Sequence, residues 1–381
     1  MKKFKFTSPI NFGYNFHYQV RMIPLKNSSI IKRGLEEIIT EERLDSLLKK
    51  SEPLRAYIGV EPSGLFTIGW MIWARKFKDL IVSGVETILL QATWHAWIND
   101  KLGGSMENIR LCSAYIEHCL EALGIPKNRY QTVYADELVS SGDYWSLVLK
   151  IAKSLTLNRV KRALTIMGRR TDEAVVDFSK LIYPCMQVAD IFYLNLDLCL
   201  GGMDQRRAHV LAIEVADKLG MKKPVALHTP ILIGLAGLGR MEGSVKGEMI
   251  YEFKMSKSKP ETAIFIHDEE DEIEKKIMKA YCPARMVENN PVLEICRLIL
   301  FSEPGFILKI EREMRHGGDI EVKSYRELED LYFKGELHPL DLKKAVSKSL
   351  NECLKPVRKY FEHVTEAHEL YIRLKSLAIT R

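Results

Sequence analysis

The feature that most constrains the fold of this 381-residue chain is a strand, a glycine-bearing turn and a helix start compressed into Tyr57 to Trp70. Tyr57-Ile58-Gly59-Val60 reads as a β-strand, Glu61-Pro62-Ser63-Gly64 as a tight turn, and the Met71 to Ile81 region as the helix that follows. Val85 to Ala92 then supplies an apolar, β-branched run suited to a parallel strand covered on both faces. Strands and helices alternating in this way predict a doubly wound α/β sheet, whose ligands bind beyond the C-terminal ends of its strands. Such a crevice would gather Tyr57, Leu90, His95 and the glycine turn. Gly59, Gly64 and Gly69 let a ligand approach the backbone without a Cβ in the way, and the free amides at a helix start suit an anion.

Far downstream, Lys254-Met255-Ser256-Lys257-Ser258 brackets small hydroxyl residues with two ammonium groups. A mobile loop of this kind can follow negative charge from ATP onto a leaving pyrophosphate, stabilising a transition state more than a ground state. Taken alone, the string reads more readily as a solvated basic turn, and glycines in turns are common.

Held together in one order, these segments resemble class I aminoacyl-tRNA synthetases. Tyr57-Ile58-Gly59 with Glu61-Pro62-Ser63-Gly64, Trp94-His95-Ala96-Trp97-Ile98-Asn99-Asp100-Lys101-Leu102, Tyr183-Pro184-Cys185-Met186-Gln187-Val188-Ala189-Asp190-Ile191, Gly202-Met203-Asp204-Gln205-Arg206-Arg207-Ala208-His209 and Lys254 to Pro260 are together similar to the tyrosyl-tRNA synthetases of archaeal and eukaryotic type. The likeness runs from about residue 30 to the C-terminus. It implies an N-terminal extension with helices over 1–50 and a Rossmann-like catalytic domain over 51–262. A mainly helical insertion at about 100–190 would carry a dimer interface and dock the acceptor end of tRNA, and an α-helical anticodon-binding domain would fill 263–381.

The resemblance also implies roles. Tyr57 and Asp190 would hydrogen-bond the phenolic oxygen of L-tyrosine, while Tyr183, Gln187 and Gln205 hold its α-ammonium. Gln187 lies four residues after Tyr183 and Asp190 three beyond that, so one helix presents all three on one face. Leu90 and His95 would wall the ring pocket, although a histidine between two tryptophans reads equally as a satisfied core residue. Gly59, Gly69, Trp70 and His209 would lie near the nucleotide, and Thr67, Lys254 and Lys257, with Met255, Ser256 and Ser258, would act on the phosphates. ATP is then a substrate accompanied by Mg2+, tRNA(Tyr) the acceptor, and a second copy of the chain the partner, in the cytoplasm.

One segment departs from the family signature. His-x-Gly-His is replaced by Thr67-Ile68-Gly69-Trp70, so a shorter, uncharged donor stands where the first histidine would meet phosphate. Losing one positioned donor costs on the order of 3 kcal/mol of transition-state stabilisation. This opens two other readings: a synthetase-like RNA-binding or regulatory paralogue with impaired catalysis, and a tryptophan-specific relative, against which Asp190 with Tyr57 argues.

For tRNA, Arg159, Lys161, Arg162, Arg169 and Arg170 crowd one segment, which alone reads as a solvated basic face. By resemblance Arg162 and Arg206 would meet the first acceptor base pair, and His338 and Asp341 the anticodon, with Phe301 a candidate stacking aromatic.

The remaining sequence limits the alternatives. A net charge of +6 is compatible with a polyanionic partner without requiring one. Seven scattered cysteines, with no Cys-x-x-Cys pair, read as reduced thiols without structural zinc, and no apolar stretch has the length of a membrane span. A helix is expected from about Gly34 through Ile39, a second around Leu44 to Leu48, and a short strand at Ala263 to His267. Leu342, Val346, Leu350, Cys353, Leu354, Val357 and Phe361 trace one apolar helix face. The alternating aromatics Phe12, Tyr14, Phe16 and Tyr18 read as a strand or an ordered extension.

Overall fold

The computed structural model describes residues 27–50, 52–164, 177–238 and 253–377; the aromatics before residue 27 and Arg169 and Arg170 lie outside them. Strands β1 (Glu37–Ile39), β2 (Arg55–Val60), β3 (Glu86–Gln91), β4 (Gln131–Tyr134), β5 (Leu198–Gly202) and β6 (Val225–Thr229) form one sheet. Its order is β1-β6-β5-β2-β3-β4, with β2 to β6 parallel and β1 antiparallel at the edge. The chain winds outward from β2 through β3 to β4, then returns to lay β5 against the other side of β2. That reversal opens a crevice beyond the carboxyl ends of β2 and β5.

The elements follow from their residues. Helix Trp70–Val82 buries Met71, Trp73, Ala74, Phe77, Leu80 and Ile81, the apolar stripe that a crossover helix must press on a parallel sheet. Helix Met106–Ala122 starts at a Ser105 cap, whose hydroxyl accepts from Asn108 N at 3.3 Å, and makes the crossover from β3 to β4. The span of about 100–190 is mainly helical, as expected, but it also contains β4.

Two local expectations are corrected. The helix expected from Gly34 through Ile39 is instead edge strand β1, because Gly34, at φ +66°, ends helix Ser28–Lys32 and Glu37–Ile39 then pairs with β6, placing Glu37 opposite His228. Pairing with β6 and two β-branched isoleucines outweigh a helical spacing of leucine and isoleucine. The strand expected at Ala263 to His267 is only an isolated bridge between Thr67 and Phe265. Asp268 Oδ2 accepts from Phe265 N at 2.9 Å and turns the chain into helix Glu270–Lys279 before a ladder can extend.

The C-terminal region includes helices Glu270–Lys279, Pro291–Ile295, Tyr325–Lys334, Pro339–His363 and Thr365–Ser376 and a small pair, β7 (Leu308–Ile310) with β8 (Ile320–Val322). The predicted face of Pro339–His363 is buried, except that Cys353 is only partly covered. This region docks on helix Met106–Ala122. His118 Nδ1 lies 2.9 Å from Tyr360 Oη, which donates to Glu121 Oε2 at 2.9 Å. Tyr115 Oη accepts from Phe66 N at 3.1 Å and sits 2.8 Å from His267 Nε2, while the His267 ring stacks on Tyr371 at 4.3 Å.

All seven cysteines are free thiols. Among the described residues no group of three or more His, Cys, Asp or Glu is arranged to hold a metal, and no helix is long and apolar enough to cross a membrane.

Candidate active site

Beyond the carboxyl ends of β2, β3, β5 and β6 lies a cleft of about 870 Å³. One end gathers Tyr57 from β2, Leu90 from β3, His95, and Tyr183, Gln187 and Asp190 from helix Phe178–Tyr193, with Gln205 beside them. Tyr57 and Asp190 therefore face one space, although they are distant in the chain. Asp190 is only 1% exposed. Its Oδ1 accepts from the Tyr144 hydroxyl at 2.7 Å, and its Oδ2 lies 3.1 Å from His95 Nε2. The latter approach lacks the alignment of a hydrogen bond, so it is a charge contact.

Burial, then the carboxylates, set the protonation states here. Burial pushes the Tyr57 phenol well above its ordinary pKa, with Cys199 and Asp190 adding to the rise. Tyr144 is raised by burial and then by Asp190, so both phenols remain donors. Burial alone would lower His95; the Asp190 and Glu61 carboxylates outweigh it and raise the imidazole above its ordinary value.

Next to this end, Tyr183 donates to Glu61 Oε1, which also accepts from Asn99 Nδ2 at 2.7 Å. Gln187 Nε2 donates to Gln205 Oε1 at 3.0 Å, leaving Gln187 Oε1 a buried acceptor with no donor from the protein. The Glu61 carboxylate and the Gln187 amide oxygen offer acceptors for an ammonium group.

The other end is built for anions. Gly64, at φ +116°, needs glycine to turn the chain into the helix. Thr67 lines the cleft while remaining 1% exposed. Opposite stands the lysine loop, anchored by Met255 N donating to Leu232 O at 2.8 Å, with Ser256 Oγ and Ser258 Oγ 2.9 Å apart. Lys254 Nζ donates to Asp204 Oδ2 at 2.7 Å, and that carboxylate raises the lysine pKa against its burial. Lys257 Nζ donates to Ser63 Oγ and Gly64 O, each at 3.2 Å, and lies 3.4 Å above the centre of the Trp70 ring. Burial pushes its pKa down to about 7. The flap thus rests on the glycine turn.

Residues 49–355 match the family described as tRNA synthetases class I (W and Y). The chain belongs to this family. A relative named tyrosine–tRNA ligase from Sulfurisphaera tokodaii is 54% identical over 337 residues, covering 88% of this chain and 93% of its own. The crystal structure of tyrosyl-tRNA synthetase from Aeropyrum pernix has 49% identity and a TM-score of 0.81, covering 91% of this chain and 97% of that one. The tyrosyl-tRNA synthetase from Pyrococcus horikoshii, complexed with L-tyrosine, has 42% identity and a TM-score of 0.83, with coverages of 91% and 98%.

Elsewhere the synthetase places its candidate residues less simply. His209 does not line the cleft. It is buried beneath Gly201, where an added Cβ would come within 2.9 Å of His209 Cε1, and it stacks on His228 with Nδ1 3.0 Å from His228 Nε2. His228 Nδ1 reaches Glu37 Oε2 at 2.9 Å, and Glu37 accepts from Arg206 Nε at 2.9 Å. Arg206 is therefore held by the edge strand outside the cleft. Arg162 is exposed on helix Leu157–Ala163, and Arg207 donates weakly to its carbonyl at 3.4 Å. His338 caps helix Pro339–His363, its Nδ1 accepting from Leu340 N at 3.2 Å, with Asp341 in the first turn. Phe301 is half-buried edge-on to Phe306 at 5.2 Å, so the aromatic expected there is only partly exposed; Phe333, 68% exposed, is an open ring of this region.

Three cleft groups, and one buried phenol behind Asp190, were not singled out by sequence reasoning. Glu61, Asp204 and Lys101 stand inside the quoted motifs and line the cleft, but no spacing rule selects them. Tyr144 comes from helix Gly142–Ser154, which carries no local signal for the site.

Proposed function

We infer that the chain is a tyrosine–tRNA ligase, joining L-tyrosine to ATP as tyrosyl-adenylate with release of pyrophosphate, then moving the tyrosyl group to the 3′ end of tRNA(Tyr). The observation that carries this reading is the convergence of Tyr57 and Asp190 at one end of a cleft whose other end holds the lysine flap. Asp190 accepts the substrate phenol proton and Tyr57 faces the same oxygen. Glu61, Tyr183, Gln187 and Gln205 surround the α-ammonium. A substrate carboxylate oxygen attacks the α-phosphorus in line, the bond from that phosphorus to the α,β-bridging oxygen breaks, and pyrophosphate leaves with the electron pair. Lys254 and Lys257 take up the charge that develops there. A ribose hydroxyl of the tRNA terminus then attacks the acyl carbon and AMP departs. No protein nucleophile is needed, so catalysis is positioning and charge stabilisation, and magnesium enters with its nucleotide as MgATP. Thr67 serves as a neutral donor at the phosphates, and Arg162, Arg206, His338 and Asp341 meet the tRNA.

Exchange of pyrophosphate into ATP tests this directly. Tyrosine is expected to support exchange while tryptophan and phenylalanine do not; exchange with tryptophan, or none from folded protein, would discard the reading. The paralogue without catalysis is not favoured, since both flap lysines face the cleft and relatives above 50% identity carry the ligase name.

Lys257 gives a pH signature. Phosphate binding requires its charged form, and the free-protein value near 7 means that the ammonium must be held against burial. KM for ATP is therefore expected to rise roughly tenfold between pH 7 and 8.5, and Lys257→Arg should flatten that profile because guanidinium stays charged. A wild-type profile without a rise in this window would exclude Lys257 as the phosphate contact.

A cytoplasmic homodimer completes the proposal. Trp97, Leu149, Leu157 and Phe178 are 42%, 68%, 57% and 74% exposed on neighbouring helices, an apolar surface of the kind that a second copy covers. Sedimentation of the wild type should give a dimer, and Leu149→Glu with Leu157→Glu a monomer; a monomeric wild type refutes this part.

A further inference from the structure

Trp70, at the second histidine position of the family signature, carries Lys257. Its ring is fixed by Phe66, edge-on at 5.2 Å, and Trp73 at 5.9 Å, so it is a rigid aromatic surface on the wall of the nucleotide end. Two of the three ammonium hydrogens of Lys257 have neutral acceptors, Ser63 Oγ and Gly64 O, and the indole face lies against the charge. Among the described residues no carboxylate forms a salt bridge with Lys257, whereas Lys254 is paired with Asp204.

We propose that Trp70 is a positioning residue for the activation step: its indole face seats the Lys257 ammonium at the glycine turn, in place for the ATP triphosphate. This rests on the ligase reading above. The physical case lies in the choice of partner. A carboxylate would hold the ammonium firmly but would cancel its charge and repel the incoming phosphates. A ring quadrupole attracts the cation without a net charge of its own, so it does not cancel the positive charge offered to the nucleotide. A histidine there offers a weaker face and, when protonated, repels the lysine; an aliphatic residue offers no attraction. The seat also restricts a long flexible side chain before ATP arrives, so less ordering remains to be done on binding.

Calorimetric titration of the full chain with MgATP tests the seat without requiring turnover. Trp70→Leu is expected to weaken ATP binding roughly tenfold. Trp70→Phe should recover most of the loss because an aromatic face remains, and tyrosine affinity should be unchanged in both variants. In a Lys257→Met background, Trp70→Leu should add little, since its effect runs through the lysine. The proposal is overturned if Trp70→Leu binds ATP like the wild type, if the two losses simply multiply, or if tyrosine affinity falls in parallel. Failure of the ligase reading looks different, as normal ATP titrations on a wild type that supports no tyrosine-dependent exchange.

Discussion

Asp190→Asn is expected to lower kcat/KM for tyrosine-dependent exchange by roughly 10³-fold and to reduce the preference for tyrosine over phenylalanine from about 10⁴ to below about 10². The size follows from how many groups meet at this carboxylate. Its Oδ1 already accepts from Tyr144, and Oδ2 lies beside His95, in a site with almost no access to water. A substrate phenol would be a further donor to the same group. An asparagine amide presents two hydrogens of its own, so at least one buried donor faces another donor, and an unpaired buried polar group is costly. Phenylalanine makes no such demand and loses less, which is why selectivity should fall along with rate. Exchange measured with both amino acids, with ATP affinity as the control for folding, decides the matter. An asparagine variant that keeps its tyrosine preference would show that the phenol is recognised elsewhere.

Lys254→Met is expected to lower kcat for exchange by roughly 10²- to 10³-fold with tyrosine affinity unchanged. This lysine loses more than its own charge when replaced. Asp204, 2.7 Å from its ammonium and on the wall of the cleft, would be left as a bare carboxylate facing the triphosphate. Adding Asp204→Asn to Lys254→Met should therefore restore part of the rate, because the repulsive partner is removed with the attractive one. Stopped-flow measurement of adenylate formation separates this step from tRNA transfer. A full rate in Lys254→Met would show that the loop does not follow the departing pyrophosphate.

The parallel sheet and the helix after the glycine turn were legible because their signal is local. Ile88, Leu89 and Leu90 mark a strand covered on both faces, and Met71, Phe77, Leu80 and Ile81 repeat at helical spacing. The spacing of Tyr183, Gln187 and Asp190 likewise places all three on one wall of the cleft. What escaped local reading depends on partners remote in sequence. Glu37–Ile39 is a strand only because β6 lies beside it, and Gly201 must be glycine because His209 sits behind it. Tyr144 reaches Asp190 from a helix with an ordinary amphipathic pattern. The seat of Lys257 on Trp70 joins the second position of the family's His-x-Gly-His signature to a loop at the far end of the domain.

The hydroxyl of Tyr115 is shared between the amide of Phe66 and His267, and Phe265 bridges to Thr67. The threonine segment of the phosphate end is thus braced by the backbone of residues 264–266, with Tyr115 linking Phe66 to His267. Cutting the polypeptide at residue 262 would strip that brace away and deprive Phe66 and Thr67 of their lateral support. The two halves are consequently unsuited to exchange as free-standing cassettes between relatives; any chimera must carry residues 263 to 268 and the faces of Phe361 and Tyr371 that enclose His267 along with its nucleotide-binding turn.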